Sequence, residues 1–136
     1  MPTEIEDLCE TIEDCYEFTL SYAAKGVAAD ESSTLGRQLR EKLTAAVEAM
    51  RGLETAGGAL LKTVQLTPAE KYSAFFDVMA RDARDAVAAA ELVLVQPVIG
   101  TQLIDNLNAS IHLRALLTDL FLVTEILSAR KPVAAE

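Results

Sequence analysis

Ala115 to Leu127 reads A-L-L-T-D-L-F-L-V-T-E-I-L. At about 100° per residue, large apolar side chains fall on every face of that helix, so a single neighbouring surface does not cover it. Such a segment belongs at the centre of a helical fold or at a boundary shared with a second subunit. The remainder of the chain is of the same class. Hydrophobic residues make up 51% of the 136, but only 5% are aromatic and Trp is absent, so Leu, Ile, Val and Ala must fill the core. Ala favours helix, and the period-2 alternation that strands need is missing. The sequence predicts an all-α fold: a four-helix up-and-down bundle with long helices and a shorter acidic first helix. Its length allows one domain, expected over residues 1–131, with a disordered tail at 132–136.

Four helices are expected, near 3–25, 33–65, 68–95 and 101–129. The first opens on a capping box, Thr3 with Glu6 three residues on, and its inward face reads Ile5, Leu8, Ile12, Cys15, Thr19, Tyr22. Gly26 closes it, and Asp30 or Ser32 can cap the next start. The second helix lines up Leu35, Leu39, Leu43, Ala46, Met50, Leu53, Gly57, Leu60 and Val64. Its Gly57-Gly58 pair costs helix stability, which predicts either a kink or the close approach of a neighbour. Gly52 to Thr63 is not a phosphate loop, because Lys62-Thr63 does not follow the second glycine directly and no strand precedes it. Thr67-Pro68-Ala69-Glu70 combines a cap, a first-turn Pro and a capping-box Glu, so a third helix begins there. That helix should bury Tyr72, Phe75, Phe76, Met79, Ala83, Val87, Ala90 and Leu94, with Asp77, Arg81 and Asp85 paired outside. After a turn at Pro97 and Gly100, Leu103, Leu107, Ile111 and Ala115 face the core of the fourth.

Charge is unevenly placed. The chain carries −9, and residues 1–31 hold nine acids against Lys25 alone, leaving only −1 for the other 105 residues. Phosphate backbones and anionic membrane surfaces are repelled by such a segment, which argues against nucleic-acid and membrane partners. Glu6, Glu10, Glu13 and Glu17 form a one-sign ladder on one side of the first helix, unlike the mixed charges that solubility alone would need. Such a face steers and selects a basic partner surface. Cys9 and Cys15 are too far apart on one helix to bridge, and without a CxxC or a nearby His they fit small core residues of a reducing compartment. The acidic start is unlike a signal peptide, and Thr118, Asp119 and Glu125 interrupt the most apolar run, so a cytoplasmic location is expected.

His112 is the single histidine. Asp105, Asn108 and Asp119 share its expected helix face, which defines a possible polar pocket. A di-metal bundle needs Glu-x-x-His, but Ala109 stands three residues before His112, and no metal or cofactor is expected. The surrounding S-I-H-L-R-A-L-L also departs from phosphorelay and helical-nuclease spacing. No nucleophile, oxyanion hole or complete metal shell can be assembled, so an enzyme is the weaker expectation. Three functions remain. The first is a non-catalytic interaction protein, such as an adaptor, assembly factor or chaperone, which binds a basic or amphipathic helix through the acidic ladder and a groove beside Leu116, Leu120 and Leu122. The second is a small-molecule sensor or enzyme built around His112, and the third is a structural homo-oligomer subunit. A homodimer is expected, because the short first helix leaves apolar surface on the others.

Overall fold

Thr3 and Glu6 close the expected capping box. The Thr3 amide donates to Glu6 Oε1 at 2.8 Å, and the Glu6 amide donates to Thr3 Oγ1 at 3.2 Å. In this computed structural model, which describes residues 3–25 and 34–130, that box starts the first of five helices. They are α1 (Glu4–Lys25), α2 (Thr34–Thr63), α3 (Ala69–Leu94), α4 (Thr101–Ala109) and α5 (Ile111–Arg130), and no strand occurs among the described residues. Residues 26–33, with the expected caps Gly26, Asp30 and Ser32, and residues 131–136, expected to form a tail, lie outside the described residues.

The all-α expectation holds, but five helices stand where the periodicity predicted four. The difference is Ser110. Its backbone is extended (φ −59°, ψ 131°), its amide donates to the Leu107 carbonyl at 3.0 Å, and its Oγ accepts the His112 amide at 3.2 Å. Its own carbonyl accepts the Arg114 amide at 3.0 Å. One serine therefore ends α4 and caps α5, since its hydroxyl offers the backbone an alternative to an unbroken helix. The break shifts the buried face. Ile104, Leu107 and Asn108 are buried before it and Leu113, Leu116, Leu117 and Leu120 after it, whereas Ile111, expected in the core, is exposed.

Among the helices, α2 packs chiefly on α3 and α1, α5 on α3, and α4 on α1. Arg40 near the start of α2 holds the opposite end of α3, donating to the carbonyls of Leu94, Gln96 and Pro97 at 2.9, 2.7 and 3.2 Å. Those carbonyls have no helical partners left, and a guanidinium fork supplies several donors at once. The buried Tyr22 hydroxyl donates to the Ile99 carbonyl at 2.7 Å, which ties the end of α1 to the approach to α4. Arg130 donates to the Gln65 carbonyl at 2.8 Å, bringing the end of α5 to the α2–α3 turn. The core is aliphatic, as the composition requires, with Ile5, Ile12, Leu39, Leu53, Met79, Ile104, Leu116 and Leu120 among its most enclosed members.

Of the Gly57-Gly58 alternatives, close approach is the one found. α2 continues through the pair, and a Cβ on Gly57 would lie 3.2 Å from the Phe76 ring, whereas one on Gly58 would meet nothing within 4 Å. The start of α3 departs from its expectation: Pro68 itself takes the cap position, no side chain caps the helix, and the helix begins at Ala69. The ion pairs recorded on α3 also reach across to α2 instead of running along α3. They join Arg51 to Glu91 and, at 3.2 Å, Arg84 to Glu54.

Candidate interaction surface

An inner stripe of Leu113, Leu116, Leu117, Leu120, Val123 and Leu127 consumes one side of α5 in the chain's own core. Leu116 and Leu120, expected at a partner surface, are fully enclosed there because the i, i+4 spacing places them on that stripe. The other side stays uncovered. Phe121, Leu122 and Ile126 remain 48%, 50% and 38% exposed. Leu122 and Ile126, with Val123, form one wall of a groove of about 160 Å³, and Lys71, Tyr72, Phe75 and Phe76 of α3 form the other. The aromatic wall is set by Tyr72 and Phe76, whose rings meet edge to face at 6.4 Å, with Phe76 seated over Gly57. The all-round apolar reading of residues 116–127 therefore pointed at this surface, though Leu122 is the one expected partner residue that lies on it. Phe121, Ile126, Tyr72 and Phe75 were missed, since sequence alone does not show which side of an apolar helix its neighbours leave open.

The glutamate ladder is divided by its surroundings. Glu10 and Glu17 are exposed, whereas Glu6 and Glu13 are half-buried. Glu6 is engaged in the capping box, and Glu13 Oε1 accepts the Cys9 thiol at 3.2 Å. Burial, reinforced by Glu13, pushes the Cys9 thiol up to about 12, and burial pushes Cys15 up to about 11 despite Lys42. Both thiols are free and buried, as small core residues should be.

The four polar residues grouped around His112 are dispersed by the break at Ser110. Asp105 and His112 are exposed. Asn108 is buried toward α1, where its Nδ2 donates to the Thr19 carbonyl at 3.1 Å and its Oδ1 has no partner. Asp119 is 8% exposed, its Oδ2 is left without a partner, and the Asp82 carboxyl of α3 is its acidic neighbour. Burial first, then the neighbouring Asp82 carboxyl, push the Asp119 carboxyl up to about 7. This carboxyl pair was not legible from the sequence, because its members come from different helices.

A larger cleft of about 410 Å³ lies between α2 and α3, floored by small apolar residues such as Ala80 and Ala83. Its charged rim is already matched, Arg51 with Glu91 and Arg84 with Glu54. Among the described residues no group of three or more His, Cys, Asp or Glu is placed to hold a metal ion, and no helix is long and apolar enough to cross a membrane. No protein-family model, no curated protein and no solved structure matches the chain.

Proposed function

We propose that the chain is a non-catalytic interaction protein, an adaptor, assembly factor or chaperone, in which α4 and α5 together form the fourth arm of an up-and-down bundle. The observation that carries this reading is the apolar groove between α3 and α5, walled on one side by exposed Leu122 and Ile126, with Phe121 exposed beside them in the sequence of α5. Large apolar side chains gathered beside a groove are a feature of surfaces that receive another protein. A second support is the acidic side of α1, where exposed Glu10 and Glu17 steer a basic partner surface. Self-association through the same patch is part of the proposal. Free, buried thiols suit a reducing compartment, and the reading places the chain in the cytoplasm.

Affinity capture from native extract tests it, comparing wild type with a Glu10→Gln/Glu17→Gln variant and with Leu122→Glu. These positions are exposed, so the variants spare the capping box and the Cys9–Glu13 contact. Wild type should retain a protein that rebinds when purified and that at least one variant loses. Captures that contain only the chain itself, whichever form is used, overturn the reading.

A further inference from the structure

Phe75 and Asp82 stand seven residues apart on α3, and Asp119 and Ile126 stand seven apart on α5. Seven residues are about 10.5 Å and within about 20° of two full turns, so each pair shares one face of its helix. Phe75 and Ile126 stand on facing walls of the groove, and Arg130 at the end of α5 reaches Gln65 just before α3, so the two helices run antiparallel and the same register sets Asp82 opposite Asp119 about two turns further along. The seam thus carries an apolar step and then an acidic one. Two carboxyls enclosed together disfavour each other's ionisation, and a buried charge is normally neutralised by a partner. Neither of these has a basic partner among the described residues, and Asp119 Oδ2 accepts no hydrogen bond.

We propose that this seam seats one amphipathic helix of a partner protein, whose apolar side chains enter the groove beside Phe75 and Leu122 and whose lysine or arginine, two turns on, meets Asp82 and Asp119. The proposal rests on the reading of the chain as an interaction protein and names the partner's chemistry. Charge complementarity selects a basic group. Half-buried Asp82 presents the pair to the surface, and the cation neutralises it there. Size selects a single helix over a second copy. Exposed Leu122 and Ile126, facing half-buried Tyr72 and Phe75 across the groove, offer far less than the roughly 800 Å² per partner that a stable interface needs.

The test uses two fluorescein-labelled, alanine-rich peptides, each about 15 residues long so that a helix is within reach. Both carry leucines at i and i+3, and they differ only at i+7, where one has Lys and the other Gln. Fluorescence anisotropy against the full chain should show the Lys peptide binding about fivefold more tightly, the size expected of a partly exposed ion pair. Asp82→Asn/Asp119→Asn should abolish that preference, and Leu122→Glu should weaken both peptides, with each variant shown to be folded by circular dichroism. Equal affinity for the two peptides overturns the acidic step. Absence of saturable binding, or indifference to Leu122→Glu, overturns the seam as a seat. A stable dimer of the chain that neither peptide displaces makes the occupant a second copy and also overturns the proposal. In each case the capture experiment still decides independently whether the chain is an interaction protein.

Discussion

An ionised carboxylate is least favourable where water is scarce and a second carboxylate is near, and Asp119 meets both conditions beside Asp82. Its folded-state pKa is raised from 3.8 to about 7, so between those values the folded chain binds more protons than the unfolded one. Stability from this group is therefore complete below pH 3.8 and is lost as pH rises toward 7. Denaturant unfolding at pH 5 and pH 8 should show wild type losing stability over that interval more steeply than Asp119→Asn. At pH 8 the variant should be the more stable. An unchanged slope would mean that Asp119 ionises freely in the folded chain. The cysteines give a second expectation at this scale. Raised to about 12 and about 11, Cys9 and Cys15 hold almost no thiolate near neutrality, and the thiolate is the reactive form. A thiol reagent at pH 8 should label the native chain on the order of a hundredfold more slowly than the unfolded chain, and equal rates would place the thiols at the surface.

Among the helices, α2 offers an internal control on packing. Gly58→Ala gains helix propensity into open space and should stabilise the chain by about 0.5–1 kcal/mol. Gly57→Ala gains the same propensity but sets a methyl group 3.2 Å from the Phe76 ring, which is held by its own packing against Tyr72, and should stabilise less or destabilise. Thermal unfolding of the two variants checks the difference, and equal shifts would show that Phe76 yields without cost. Such local signals were largely legible in the sequence. Thr3 and Glu6 form the box that their spacing implies, and Leu39, Leu43, Met50 and Leu53 occupy the face assigned to them. Ser110 was not legible, because an apolar period runs past it and a mid-helix serine shows its effect only when its hydroxyl bonds the backbone. That one residue displaced Ile111 from the core and separated Asn108 from Asp119. The candidate surface was legible only in outline, since the excess of apolar residues in α5 is a property of one helix, whereas the groove and the Asp82–Asp119 pair are properties of two.

For the whole molecule, the patch on α5 governs association. With so few exposed apolar side chains in the patch, against the roughly 800 Å² per partner of a stable interface, self-association should be weak and concentration-dependent. Light scattering should show the average mass rising between low and high micromolar concentration, and Leu122→Glu should hold it at the monomer value. A strict monomer that also binds no hydrophobic dye would remove the apolar patch from consideration. The break at Ser110 carries a further consequence, for the order in which the chain opens. With nine residues, α4 is shorter than the roughly 12–15 that a helix needs to persist alone, so its protection is borrowed from α1, through Asn108 on Thr19 and, just ahead of the helix, Tyr22 on Ile99. Amide hydrogen exchange should then find α4 releasing its protons as one cooperative unit, ahead of α5, although the two helices are separated by a single residue. The two halves of what sequence periodicity reads as one rod would report different opening free energies, with Ser110 as the border between them.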